Sequence, residues 1–249
     1  LLSYSSRREN LINQLIGAVM QVGIDGINVD FEKISKDCGV HYIQFIRELS
    51  VKCRQNGIVL SVDNYVHKGY NQQYNRKEQG VMADYVIIMG YDEHNGSSLE
   101  AGSVSSYEFV KEGIEETIKE VPAEKVISGI PFFTRLWSET PKTQEELNQE
   151  AGTEAADYPM KVTSEALGMS TARDKISQAG AETTLDETTG NNYATWEADG
   201  VTYEIWLEDA TSIEPKLQLM KENKLAGTAA WALGQESSDI WNLILKYVN

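Results

Sequence analysis

The sequence predicts an α/β fold with a parallel sheet. Three observations carry this: β-branched runs alternate with segments of helical periodicity, glycines punctuate the joins, and 41% of the residues are hydrophobic, enough for a sizeable core. Leu11, Ile12, Leu15, Ile16 and Val19 recur at helical spacing and predict a helix to about Gln21, capped by Ser5-Ser6 and stopped by Gly23. Gly26 to Glu32 alternates apolar and polar residues like a strand. From about Val40 a second helical pattern (Ile43, Phe45, Ile46, Leu49) runs to Gly57, and Ile58 to Val62 reads as a buried strand. The rhythm continues with a strand at Tyr85–Tyr91, a helix from about Ser105 to Glu120 and a strand at Val126–Pro131. Nearer the C-terminus a helix from about Ser212 to Asn223 precedes the strand Gly227–Leu233 and a closing helix, Ile240–Tyr247. Strands separated by helices in this way are parallel and joined by right-handed crossovers.

The stretch from Thr134 to about Tyr203 breaks the rhythm. It is polar, with a helix expected near Ser164–Gln178 and a hairpin in which Tyr193–Glu197 and Val201–Trp206 flank Ala198-Asp199-Gly200. Residues 134–203 are read as an α+β insertion within a single domain, 1–249.

Composition narrows the partners. The 249 residues carry 38 acidic against 22 basic side chains, a formal charge of -16 that repels phosphate backbones and anionic lipid heads, so nucleic acid and membrane surfaces are excluded as expected partners. No run approaches the roughly 18 apolar residues of a membrane span, and Leu1-Leu2 is too short for a signal-peptide core. Cys38 and Cys53 are too few for a disulfide scaffold or a four-ligand zinc site, and both are read as structural. His41, His67 and His94 show no metal-ligand spacing, so no metal is expected. The absence of GxSxG, GxGxxG and P-loop motifs removes serine-hydrolase and nucleotide-binding readings.

The chemistry concentrates in Gly26-Ile-Asn-Val-Asp-Phe-Glu32. Alternation puts Asn28, Asp30 and Glu32 on one face and Ile27, Val29 and Phe31 on the other, where helices should cover them. Two readings are open. Either a catalytic acid lies beside a helper carboxylate, with burial and mutual repulsion raising the pKa of one of them, or an exposed edge strand shows its polar face to water.

Asp25-Gly-Ile-Asn-Val-Asp-Phe-Glu32 resembles the fourth-strand DGxDxDxE signature of family 18 glycoside hydrolases, the chitinase family, with Asn28 in place of the first Asp of the DxDxE core. Met89-Gly-Tyr-Asp92 resembles the sixth-strand MxYD motif, Gly129-Ile-Pro-Phe-Phe-Thr-Arg135 the seventh-strand GxPFYxR segment, and Trp231 the eighth-strand tryptophan. All four occur in the family's order. The variant with Asn28, together with Gly90-Tyr-Asp-Glu-His94 and Arg135-Leu-Trp137, is most similar to the bacterial branch of spore-cortex lytic enzymes and cell-wall N-acetylglucosaminidases.

This resemblance implies a retaining, substrate-assisted hydrolysis of β-1,4 linkages next to N-acetylglucosamine, in peptidoglycan or spore cortex with chitin as the lesser alternative, and with no cofactor. It implies Glu32 as acid and then base, Asp30 as the group orienting the acetamide, and Tyr91 as a hydrogen-bond donor to it. Asn28, Met89, Asp92, Arg135 and Trp231 would bind substrate, Trp231 as the floor beneath the sugar. It also implies a TIM-barrel-derived sheet comprising only strands four to eight, with the insertion after the seventh. Five strands cannot close an eight-stranded barrel, so the expectation is a truncated chain with an open edge, or a homodimer that covers it. An extracellular location at a bacterial cell wall or spore follows from the same branch. The rival expectations are a carbohydrate-binding protein without turnover and an inactive fragment.

Asn28 is the departure from the pattern. It keeps the hydrogen-bonding shape but removes a negative charge, which should let Asp30 ionise more readily and shift the acid limb of a pH profile. Elsewhere, His94 is read either as a substrate contact or as a loop residue, and Tyr65, Tyr70 and Tyr74 either as a sugar-stacking surface or as loop packing. Glu204, Trp206 and Glu208 alternate on the strand that leaves the insertion, with Trp206 on a cleft wall or in a core. The acidic helix Glu112–Glu120 is read as a solvated face.

Overall fold

A computed structural model describes residues 1–248 of the chain. The chain divides into two compact units. The first comprises Leu1–Met89, Glu112–Ser128 and Met220–Ala229, and the second comprises Gly90–Lys111, Gly129–Leu219 and the chain from Ala230 onward.

In the first unit, helix α1 (Ser5–Val22) ends at Gly23, whose φ of 77° is the left-handed conformation that glycine adopts without a Cβ clash. Ser5 and Ser6 do not cap it. They are its first two residues, and Tyr4 precedes them with no side-chain cap. Strand β1 (Gly26–Val29) leads to α2 (Gly39–Asn56), which stops at left-handed Gly57, and on to β2 (Val59–Tyr65). The turn at Gln72–Tyr74 and the short helix α3 (Arg76–Met82) have no counterpart in the sequence expectation, because seven residues are too few for periodicity to register. Strand β3 (Tyr85–Met89) closes this run. Helix α4 (Tyr107–Ile118) and strand β4 (Val126–Pro131) follow.

The apolar side of β1 does what alternation requires. Val29 is buried, and Ile27 and Phe31 pack with Tyr42, Phe45, Ile46 and Leu49 of α2 and Ile12 and Ile16 of α1. The Phe31 ring stacks on Phe45 at 5.6 Å with the planes 3° apart. On β2, Leu60, Val62 and Asn64 are buried while Ser61, Asp63 and Tyr65 are half-exposed. Buried Asn64 is satisfied by Gln79, whose amide exchanges two hydrogen bonds with it at 2.6 and 3.0 Å.

In the second unit β5 (Phe133–Pro141) pairs antiparallel with β6 (Met160–Gly168) and β9 (Val201–Leu207). With β7 (Thr184–Asp186) and β8 (Asn191–Ala198) they form a five-stranded sheet in the order β6-β5-β9-β8-β7. The hairpin around Ala198-Asp199-Gly200 is present, with Ala198 opposite Val201 and both Asp199 and Gly200 at positive φ. The helix expected from Ser164 begins five residues later, as α6 (Met169–Ala179), because Ser164–Gly168 belongs to β6. A short helix α5 (Gln144–Gln149) opens on a capping box between Thr143 and Glu146. The core of this sheet joins Leu136, Leu167, Ala172, Ile176, Ala194, Ile205 and Leu207.

Helix α7 (Ala210–Glu222), strand β10 (Gly227–Trp231) and helix α8 (Ile240–Val248) complete the chain. Strands β1, β2, β3, β4 and β10 lie in that order in one sheet, with β1–β2 and β2–β3 parallel. The alternation of helix and parallel strand is therefore as expected. Among the described residues no helix is long and apolar enough to cross a membrane.

Candidate active site

The carboxylates gather where β1 ends. The β1–β2 register places Asn28 opposite Ser61 and Val29 opposite Val62, so the two-residue period carries Asp63 and Tyr65 of β2 onto the face that bears Asp30 and Glu32. The next register pairs Tyr65 with Met89 at the end of β3. In the first unit Asn28, Asp30, Glu32 and Met89 thus share a face with Ser61 and Asp63, which the sequence reading did not assign to the site, and with Tyr65, which it weighed as a sugar-stacking or loop-packing residue. The signal for them was present in the same two-residue alternation, continued past Val62.

The hydrogen bonds fix this face. Asn28 Nδ2 donates to Ser61 Oγ and to Asp63 Oδ1, both at 2.9 Å. The Tyr65 hydroxyl donates to Glu32 Oε2 at 2.6 Å. Lys33, just beyond Glu32, takes a left-handed φ of 54°, an uncommon conformation for a residue other than glycine.

Burial differs from expectation. Asn28, Asp30 and Glu32 are exposed, because β1 stands at one end of the strand order and has a hydrogen-bonded neighbour on one side only. The two readings of the strand therefore combine: it is an edge strand, and its polar face is organised by side-chain hydrogen bonds. Asp30 is held above the usual carboxylate range by partial desolvation and then by the charge of Glu32. The largest carboxylate perturbation on this face falls on Asp63, pushed up to about 6 by burial and by Asp30 and Glu32, against the hydrogen bond from Asn28. The Tyr65 phenol is pushed up as well, by burial and then by its bond to Glu32.

Tyr74 is a core residue rather than a sugar platform. Its buried hydroxyl accepts from Ile34 N and donates to Phe31 O, clamping the segment that follows β1. Tyr70 is exposed and Tyr65 is taken up by Glu32.

The second unit holds Tyr91, Asp92, Arg135 and Trp231. Tyr91 meets Phe133 edge-on at 6.0 Å, and Asp92 takes a left-handed φ of 60°. The preceding Gly90 is required by close approach, since a Cβ there would lie 2.7 Å from the Gly129 carbonyl oxygen. Arg135 lies on β5 rather than on the end of β4, because the chain leaves the parallel sheet at Phe132. Its Nη1 donates to Ser164 Oγ at 3.0 Å, while its buried Nε has no hydrogen-bond partner among the described residues. Trp231 is 57% exposed, an unusual position for a tryptophan that is not held for contact with something else. His94 Nδ1 lies 2.9 Å from the Ser103 carbonyl oxygen, a loop-fixing contact. Trp206 Nε1 donates to Asp186 and its ring packs on Tyr193, so it belongs to the antiparallel sheet's own packing.

Among the described residues no group of three or more His, Cys, Asp or Glu side chains has the arrangement to hold a metal ion. What the face of β1 and β2 can do is proton transfer at a carboxylate that is oriented by a phenol and flanked by two further carboxylates.

The model for "Glycosyl hydrolases family 18" matches residues 1–236. The chain belongs to this family. The family 18 chain is 25% identical over 253 aligned positions to "Uncharacterized glycosylase YvbX" of Bacillus subtilis (strain 168), covering 99% of this chain and 68% of that one. It is 26% identical to the "Cortical fragment-lytic enzyme" of the same organism, covering 100% of this chain and 56% of that one. It thus spans between about half and two thirds of the length of these relatives. Among solved structures, the chitinase from Chromobacterium violaceum ATCC 12472 matches with a TM-score of 0.84 at 24% identity, over 98% of this chain and 72% of that one. A plant class V chitinase mutant from Cycas revoluta in complex with (GlcNAc)3 matches with a TM-score of 0.77 at 25% identity, over 100% of this chain and 74% of that one. The parallel sheet of this family 18 chain is accordingly of TIM-barrel-derived type.

Proposed function

We propose that this chain hydrolyses β-1,4 linkages next to N-acetylglucosamine in peptidoglycan, with spore cortex as its substrate class, by substrate-assisted retaining catalysis. The observation that carries the reading is Glu32, a solvent-accessible carboxyl whose orientation is set by Tyr65, with Asp30 two residues before it on the same face. Membership of a glycosyl hydrolase family and relatives named for cortex fragments support the choice of substrate.

In this reading the Glu32 carboxyl gives its proton to the glycosidic oxygen as the bond from that oxygen to the anomeric carbon breaks. The acetamido carbonyl oxygen of the same sugar forms a bond to that carbon, giving a cyclic oxazolinium ion. The tethered nucleophile supplies a proximity advantage that a free one lacks. Asp30 orients the acetamide and offsets the positive charge on its nitrogen. Water then attacks the anomeric carbon, Glu32 takes up its proton, and the ring opens with configuration retained. Tyr91 is assigned the hydrogen bond to the acetamido oxygen and Trp231 the apolar floor. Asn28, Met89, Asp92 and Arg135 are assigned the remaining contacts. Strands β1, β2, β3, β4 and β10 are proposed to correspond to the fourth to eighth strands of the family barrel, and the site of action to be the cell wall or spore.

Incubating the protein and Glu32→Gln with cortex muropeptides, intact cortex and chitin oligomers, followed by reducing-end analysis and NMR of the product anomer, tests this. The expected result is a retained anomer, with turnover at least a hundredfold lower in the variant. Equal product from both proteins on every substrate would remove the enzymatic reading and leave a carbohydrate-binding one.

A further inference from the structure

One carboxylate on the β1–β2 face has no part in the chemistry above. We infer that Asp63 is a positioning residue of the Glu32–Asp30 site: held by Asn28, it supplies a second negative charge beside Asp30 when the oxazolinium ion forms. The inference rests on the reading of Glu32 and Asp30 given above.

Three features of the fold place it there. The parallel register puts Asp63 on the same face as Asp30 and Glu32. Asn28, the residue that starts this face, spends one amide on two acceptors of β2, Ser61 and Asp63, so the Asp63 carboxyl is fixed rather than free to swing into solvent. The third feature is Tyr42 of α2. Its ring is fully buried, its hydroxyl has no hydrogen-bond partner among the described residues, and it feels the charges of both Asp63 and Asp30.

The side chains that act on the Asp63 carboxyl are the Asn28 amide and two acidic groups. Asp30 and Glu32 act on it from the segment after β1, and its own charge reaches the Tyr42 phenol of α2. Tyr65 shares its strand, and on its β3 side the paired residue is Ile87. Arg76, the cation of this neighbourhood, acts on the phenols of Tyr42 and Tyr74 instead. Burial, and after it the charges of Asp30 and Glu32, push the Asp63 carboxyl up to about 6, so it holds a proton at mildly acidic pH. Below that pH it is a neutral neighbour of Asp30. Above it, a further negative charge develops on the face where the positive intermediate forms, and charge held in place before the reaction lowers the barrier.

The test compares the full chain with Asp63→Asn and Asn28→Asp/Asp63→Asn on the substrate that the wild type turns over, from pH 4.5 to 8. Asparagine at 63 keeps an oxygen for the Asn28 amide and removes only the titration. The expected ratio of wild-type to Asp63→Asn kcat is near one at pH 4.5 and rises to about ten at pH 7.5, with KM little changed. The double variant, which returns a carboxyl to the opposite strand, should recover most of the loss. A loss of the same size at every pH would make Asp63 a structural residue and overturn the inference. Carbon-13 NMR of the side-chain carboxyls gives a readout that needs no turnover. Asp63 should titrate near pH 6 and move down when Glu32 is replaced by Gln, and a midpoint that ignores that change overturns the inference even if every substrate proves inert. Inert substrates with a coupled Asp63 would instead count against the catalytic reading alone.

Discussion

Each unit holds a carboxyl that burial pushes up, Asp63 in the first and Glu208 in the second, and the two handle the charge in opposite ways. In the second unit Glu208 is fully buried and accepts from Lys216 at 3.0 and 3.2 Å, from Ser212 at 2.8 Å and from Asn191 at 3.0 Å. Burial pushes its carboxyl up, and Lys216, Ser212 and Asn191 oppose that push. In the first unit Asp30, Glu32 and Asp63 stand together with one amide and one phenol as side-chain donors, and among the described residues none of the three is in an ion pair. A carboxylate that serves the fold is matched by a cation and a full set of donors. A face meant for proton transfer leaves the charge unmatched so that substrate can complete it.

The largest effect expected from breaking this contrast is in the second unit. Lys216→Met strands Glu208 without its cation and should cost about 3–5 kcal/mol of stability, read from urea denaturation at pH 7. Lys216→Met/Glu208→Gln removes both charges and should recover much of that loss. If the single variant is as stable as the wild type, the pair is not the structural counterpart described above.

Next in size is the phenol on Glu32. Tyr65→Phe removes the 2.6 Å hydrogen bond without changing the ring's edge contact with Tyr74. A bond to a charged group is worth about 1.5–3 kcal/mol, and if that energy holds Glu32 in its reactive orientation kcat should fall about ten- to a hundredfold. An unchanged kcat would mean that Glu32 is oriented by something other than Tyr65.

The same contrast explains what could be read from the sequence. Asn28, Asp30 and Glu32 were legible because alternation sorts a strand's faces without knowledge of its neighbours, and the family match over residues 1–236 accords with the motifs at Gly26–Glu32, Met89–Asp92 and Gly129–Arg135. Asp63 was missed, and Tyr65 was weighed as a sugar-stacking or loop residue rather than as the partner of Glu32, because the β2 reading stopped at Val62: Asp-Asn-Tyr does not resemble a buried strand, and only the register with β1 reveals which face those residues occupy. The antiparallel sheet was legible only as its Asp199-Gly200 hairpin. Residues of β6 such as Lys161, Ser164 and Glu165 are polar enough to read as a helix start, and their strand identity comes from pairing with β5, a partner more than twenty residues away. Glu208 looked like the end of an alternating run, and its partner Lys216 lies on a different element, so no local pattern could connect the two.

The smallest expected effect bears on stability rather than rate. In the unfolded chain Asp63 titrates near the ordinary aspartate value of about 4, whereas in the fold it does so at about 6. A carboxyl whose folded pKa is raised contributes stability below the unfolded value and loses it as the pH climbs through the folded one. The window therefore runs from about pH 4 to just above pH 6. Asp63→Asn, which cannot ionise, should match the wild type at pH 3.5 and exceed it at pH 7 by about 1–2 kcal/mol once solvent screening of a half-exposed group is allowed for. For a chain of this length that is about 2–8 °C in Tm, measurable by differential scanning calorimetry at the two pH values. The direction matters more than the size. A variant that is more stable at neutral pH yet slower there would show that the fold tolerates the Asp63 charge for the sake of the reaction. A variant less stable at pH 7 than at pH 3.5, relative to the wild type, would place Asp63 with Glu208 among the carboxylates that hold the structure together.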